Sequence, residues 1–173
     1  MTVVWGTVKD HKGYINVQSA ERKGTTFTLY FPITRKEIDG KKEAAPIEEF
    51  MGNGQSILVV DDVEEQLEIA CRILNKLGYS VASVSSGEEA IDYLKNNSAE
   101  LLVLDMIMEP GMDGLETYKN ILKLYPKQKA IIASGFSETN RVKEVQRLGA
   151  GKYIKKPYTI EKIGLAIKEE LER

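Results

Sequence analysis

With a single cysteine, Cys71, the chain cannot close an internal disulfide, which fits a reducing compartment and leaves the fold to be held by a buried core. Cys71 falls in an apolar helical stripe, where a buried packing role is expected rather than reactivity. A single histidine, His11, excludes the Cys-His and His-Glu groupings on which zinc sites are built. Long apolar runs are missing too: "ILVV" and "LLVL" are strand-sized, far below the ~18 residues of a membrane-spanning helix. The start, "MTVVWGTVKDHKG", has no basic region followed by an apolar stretch and a small-residue cleavage site, so no secretory signal is read there. Nor is there an excess of charge. The 24 basic and 26 acidic residues leave a formal net charge of −2, no electrostatic footprint for nucleic acid or an anionic membrane. A cytoplasmic location is the expectation.

What is present suits one ordinary domain with an appendage, since 173 residues fall short of two full domains at ~150 each. Residues 34–55, "TRKEIDGKKEAAPIEEFMGNGQ", carry many charges, scattered Gly and Pro and few apolar residues, and read as a linker. Their Gly52-Asn53-Gly54 precedes a strand instead of joining strand to helix, so it is not a dinucleotide loop.

From residue 56 to 173 a regular alternation follows. Short β-rich runs at Ile57–Val60, Val81–Val84, Leu101–Leu104, Ala130–Ala133 and Lys152–Lys155 each precede a stretch with helical spacing. The first helix sets Val63, Leu67, Ala70, Cys71, Leu74 and Leu77 on one stripe and stops at Gly78. The second opens with a capping box, Ser86-Gly87-Glu88-Glu89, and buries Ala90, Ile91 and Leu94. The third runs from about Gly114 to Tyr125, the fourth carries Val142, Val145 and Leu148, and the last uses Ile160, Ile163, Ile167 and Leu171. Five β-α units with nearly continuous apolar strands predict an α/β fold: a doubly wound, five-stranded parallel sheet of order 2-1-3-4-5, helices on both faces. In such a sheet ligands bind at the C-terminal strand ends.

The polar residues just past those ends are Asp61 and Asp62, Asp105, Ser134, and Lys156-Pro157. Three crowded carboxylates repel one another and call for a hard divalent cation, and Mg²⁺ suits a site with few protein ligands that also receives phosphate oxygens. A carboxylate beside Mg²⁺, a hydroxyl and a lysine together make a phosphoryl-accepting site. Asp105 would be the nucleophile, Lys156 would neutralise phosphoryl oxygens and Ser134 would hydrogen-bond one of them. Singly, each residue has a blander explanation: Asp62 as a helix cap, Lys156 as a solvated side chain, Ser134 as a turn residue, Tyr153 as a sheet-edge aromatic. Their joint placement at one set of strand ends favours the site. A serine-hydrolase elbow is excluded because Ile132 stands where the motif needs glycine.

In "ILVVDD", "LLVLDMIMEPGMDG", "AIIASG" and "YIKKP" the segment resembles a response-regulator receiver domain, with family-like spacing of 44 residues from Asp61 to Asp105, 29 to Ser134 and 22 to Lys156. The resemblance implies a flavodoxin-like fold, Mg²⁺ held by Asp61, Asp62, Asp105 and the backbone carbonyl of Ile107, and phosphorylation of Asp105 by a histidine kinase or histidine phosphotransfer protein. It also implies a switch pair, Ser134 and Tyr153, and a cis Lys156–Pro157 bond. One departure is Glu109, inserted between the Met and Pro that are usually adjacent in the loop after the phosphoacceptor.

Residues 1–33 read as a helix end, with Val3, Val4 and Val8 on its face, then strands at Tyr14–Ser19 and Phe27–Ile33. Here "VVWGTVKDHKGYINVQS" and "KGTTFTLYFP" resemble the C-terminal end of a histidine kinase ATP-binding domain. The asparagine-bearing motif, the ATP lid and the phosphorylatable histidine of that family would lie upstream, so ATP-dependent kinase activity is not expected from these residues, nor a phosphodonor role for His11. Kinase remnant, linker and receiver in that order resemble the tail of a hybrid histidine kinase. A non-phosphorylated interaction module derived from such a kinase is the alternative. Self-association through the last two receiver helices or the N-terminal ribbon is a further expectation.

Overall fold

The computed structural model describes residues 2–33, 46–135 and 140–173. The chain divides into two compact units, Met1–Glu43 and Ala44–Arg173. In the first, helix α1 (Thr2–Asp10) precedes an antiparallel hairpin of β1 (Tyr14–Ala20) and β2 (Gly24–Tyr30). The second strand starts and ends three residues earlier than its alternation suggests. Arg22 and Gly24 both take positive φ, so a tight turn at 21–23 lets Gly24 pair directly with Ala20. Val8 is buried, whereas Val4, expected on the packed face, is exposed, as are Trp5, Phe27 and Leu29. A two-stranded ribbon with one short helix buries few of its own apolar side chains.

In the second unit, five strands alternate with five helices. The order is β3 (Ser56–Val60), α2 (Glu64–Lys76), β4 (Ser80–Val84), α3 (Gly87–Asn96), β5 (Leu101–Asp105), α4 (Gly114–Leu124), β6 (Lys129–Ser134), α5 (Asn140–Arg147), β7 (Tyr153–Lys155) and α6 (Ile160–Glu172). The strands pair in parallel in the order β4-β3-β5-β6-β7, which is the expected 2-1-3-4-5. Side chains alternate across the central strands, and each face builds its own core. Leu58, Val60, Leu102 and Leu104 pack towards Leu94, Tyr118 and Ile121; Ile57, Val59, Leu101 and Val103 pack towards Leu74, Ile163 and Ile167. Among the described residues no helix is long and apolar enough to cross a membrane.

Local signals act largely as expected. Gly78 takes φ +83° and ends the turn after α2. The Ser86 side chain accepts from Glu89 N–H, yet the Glu89 carboxylate returns to the backbone N–H and hydroxyl of Ser85, one residue earlier than a capping box requires. Cys71 is half-buried, not buried, because it lies at the edge of the α2 stripe, and Leu148 is exposed because α5 stops at Arg147.

The expected linker, 34–55, lies outside the described residues as far as 45. Beyond that it is part of the fold. A single 3₁₀ turn, Ile47–Phe50, drives Phe50 to 1% exposure among Leu77, Tyr79 and Ile163. Gly164 opens the slot: a Cβ there would stand 2.7 Å from Phe50 Cδ2. Gly52 N–H donates to Leu77 carbonyl at 2.7 Å, Gly54 N–H to Gly78 carbonyl at 2.9 Å, and Tyr79 hydroxyl to Phe50 carbonyl at 3.3 Å. A charged, glycine-bearing segment hid one anchoring aromatic. Phe50→Ala should therefore lower the unfolding free energy by about 3–5 kcal/mol, the cost of a core cavity, whereas a solvated linker residue would cost within ~0.5 kcal/mol. Urea unfolding of the full chain distinguishes the two.

Candidate functional site

Strand β3 is followed by Asp61 and Asp62, β5 ends at Asp105, β6 ends at Ser134, and β7 is followed by Lys156. Because all five strands run parallel, these residues meet at one sheet edge. One carboxylate oxygen from each of Asp61, Asp62 and Asp105 lies within 4.8 Å of the other two. Asp61 and Asp105 are buried and Asp62 is exposed, so the cluster opens to solvent on one side. Lys156 Nζ donates to Asp105 Oδ2 at 2.7 Å and also to Asp61 Oδ2. The other oxygens are held from the backbone: Asp105 Oδ1 accepts the Met106 N–H at 2.6 Å and the Ile107 N–H at 3.3 Å, and Asp61 Oδ1 accepts the Val63 N–H at 3.1 Å.

Helix α4 starts directly against this edge. A Cβ at Gly114 would stand 2.2 Å from the Asp105 carbonyl oxygen, so only glycine allows the helix so close. The Lys156–Pro157 bond is cis, and the Lys156 N–H donates to Ser134 carbonyl at 2.8 Å. Tyr153 hydroxyl donates to the same carbonyl at 3.4 Å, which brings the two expected switch residues together. Ser134 and Ile107 both line the cleft over Asp105, with Ile107 at its exposed rim. Every residue expected from the sequence thus lies at or beside one cleft.

Burial pushes Asp61 above the usual carboxylate range; the Lys156 hydrogen bond and charge and the Val63 N–H pull it down, and the Asp105 charge pushes it up. Tyr158 went unnoticed in the sequence. Burial, then the charges of Asp61 and Asp105, push its hydroxyl up to about 12, so it stays neutral beside the cluster. Also unforeseen were two contacts in the loop after Asp105. Glu109 N–H donates to Asp62 Oδ2 at 3.2 Å, and Met112 N–H donates to Glu88 Oε1 at 3.1 Å. Both join residues far apart in sequence through backbone groups, which no side-chain pattern reports.

The donor set fits a hard divalent cation such as Mg²⁺: three converging carboxylates, one open side, and a single ammonium against three negative charges. The cleft combines that set with a hydroxyl and a lysine, the parts from which a phosphate-accepting site is made.

Comparison with known proteins agrees with this edge. Residues 57–168 match the family model described as the response regulator receiver domain. The chain is 28% identical over 182 residues to the sensor kinase CckA of Brucella abortus, with all of this chain and 19% of that protein covered. It is 32% identical over 117 residues to sporulation initiation phosphotransferase F of Bacillus subtilis, covering 68% of this chain and 94% of that one. Among solved structures, the CheX-CheY-BeF3-Mg²⁺ complex from Borrelia burgdorferi superposes with a TM-score of 0.63 at 26% identity, over 66% of this chain and 87% of that one. The chain spans about a fifth of the length of the sensor kinase it matches.

The Asp61 shift has a definite sign. A carboxyl raised above 3.8 by folding holds its proton more tightly in the folded chain, so its contribution is fully present below 3.8 and is lost as the pH rises through the raised value. Asp61→Asn keeps the shape and removes the charge. Without divalent cation, its thermal midpoint should exceed that of the parent at pH 7, and the gap should close as the pH falls towards 3.8. An Asn variant less stable than the parent at pH 7 would contradict this.

Proposed function

The chain belongs to the response regulator receiver family, and from that premise we propose that it is the phosphoacceptor of a phosphorelay, taking a phosphoryl group from a phosphohistidine onto Asp105. The observation that carries the reading is the convergence of three carboxylates and Lys156 around Asp105 at the C-terminal edge of the sheet. An Asp105 carboxylate oxygen attacks phosphorus, a P–O bond forms, the P–N bond breaks, and the imidazole nitrogen that leaves keeps the bond's electron pair. Lys156 turns its ammonium from the carboxylates to a phosphoryl oxygen, and Ser134 donates its hydroxyl to another. Asp61, Asp62, Asp105 and the Ile107 carbonyl would hold Mg²⁺, which supplies neutralising charge for the phosphoryl oxygens.

Once Ser134 turns to the phosphoryl group, the Tyr153 contact at its carbonyl is the adjacent element to change, which biases the face formed by α5, β7 and α6. That face or the N-terminal ribbon is where a second copy would dock. The match to a sensor kinase extends over the whole chain, beyond residues 57–168, and supports assigning residues 1–33 to the end of a kinase ATP-binding domain and 34–55 to the join with the receiver, 56–173. A phosphohistidine donor charged by ATP would meet the chain in the cytoplasm, which is the location this reading supports. The Borrelia complex is one with beryllofluoride and Mg²⁺, which supports the choice of probe.

In calorimetry, beryllofluoride with Mg²⁺ should bind the parent chain, and Asp105→Asn should lose at least about tenfold in affinity, the weight of one charge-assisted contact. Equal binding by the two proteins would refute Asp105 as the acceptor. An absence of binding to the parent would favour the non-phosphorylated interaction module.

A further inference from the structure

The loop between β5 and α4 contains the extra residue Glu109, and a longer loop ordinarily gains freedom. Here it is fixed along its length. Met106 and Met108 are buried in the core while Ile107 between them faces the cleft. The Glu109 N–H donates to Asp62 Oδ2 at 3.2 Å. Further on, the Met112 N–H donates to Glu88 Oε1 at 3.1 Å, and Gly111 lies so close that a Cβ would stand 3.0 Å from the same oxygen. Glu88 comes from the first turn of α3, on a different β-α unit. After it, Asp113 caps α4 through the Glu116 N–H at 2.9 Å and pairs with Arg141 of α5.

Asp62 is the exposed member of the carboxylate cluster, and among the described residues its side chain meets one hydrogen-bond partner, this backbone N–H. A carboxylate that binds a cation through one oxygen is turned towards it by whatever holds the other. We propose that the Glu109 backbone N–H, set in place by the Glu88 clasp on Met112, is a positioning group for Asp62 in cation binding. Neither residue touches the reacting atoms. The inference rests on the phosphoacceptor reading, since it presumes that the cluster takes Mg²⁺. In these terms the inserted residue supplies a donor that orients a ligand, and its own carboxylate has no part in the effect.

Calorimetric titration of the full chain with Mg²⁺ alone tests this. Glu109→Pro removes the N–H and should weaken binding by about tenfold or more, the usual effect of losing a partner of a ligand, while Glu109→Ala keeps the N–H and should bind within about twofold of the parent. Glu88→Ala should weaken binding severalfold with its unfolding midpoint little changed, because the residue is exposed, and Glu88→Gln, which keeps an acceptor, should restore it. Parent-like affinity in both Glu109→Pro and Glu88→Ala would overturn the proposal. Equal weakening by Glu109→Ala and Glu109→Pro would also overturn it, by shifting the effect to the side chain. A parent chain that binds neither Mg²⁺ nor beryllofluoride would remove the phosphoacceptor reading and this inference together, whereas a parent that binds both with indifferent variants would remove the inference alone.

Discussion

One ammonium group joins three strands. Lys156 follows β7 and donates to Asp105 at the end of β5 and to Asp61 at the end of β3, with its side chain and both carboxylates almost wholly buried. Removing the lysine from such a set strands two buried carboxylates at low dielectric, a cost of ~3–5 kcal/mol, so it ties the sheet edge together as well as serving the site. The compensation is incomplete by construction. One positive charge faces three carboxylates, and burial still holds Asp61 above the ordinary range. A site left short of positive charge and open on its Asp62 side is electrostatically ready for a cation and for the phosphoryl oxygens a cation neutralises.

Everything else in the unit serves to hold that edge still. The apolar strands Ile57–Val60 and Leu101–Leu104 are buried on both faces, so the aspartates that follow them have little positional freedom. Gly114 lets α4 abut the Asp105 carbonyl, and the loop between is tied at Glu109 and Met112. At the opposite end of the sheet Phe50 fills the slot at Gly164, so the segment leading into the receiver is continuous with its core.

Much of this was legible before any coordinates. In the second unit the apolar runs gave strands within a residue of those found, since burial on a parallel sheet leaves such runs almost unbroken, whereas the alternation of the N-terminal ribbon left its second strand three residues out of place. The acidic pair, Asp105, Ser134 and Lys156 could be assembled because a rule about strand ends converts order along the chain into proximity. Illegible were contacts in which one partner is a backbone group. Glu88 is an ordinary exposed helix-start residue, Glu109 stands out by its place in the loop but not by any partner, and Phe50 is one aromatic in a charged stretch. Nothing in their types reveals whether a N–H or a slot made by a distant glycine will meet them.

The amino-acid sequence by itself determined the parallel α/β topology, the five strand ends and the identity of the side chains gathered there, because all of these follow from hydrophobic periodicity and local turn chemistry. Tertiary structure decided how those side chains divide their bonds: which carboxylate oxygens face Lys156, which are held by backbone N–H groups, and which stay open to solvent. It also decided that the Glu109 backbone N–H would reach back to Asp62. These are matters of distances between segments 47 to 95 residues apart, such as Asp62 and Glu109 or Asp61 and Lys156, and only packing of the whole sheet and its helices sets them.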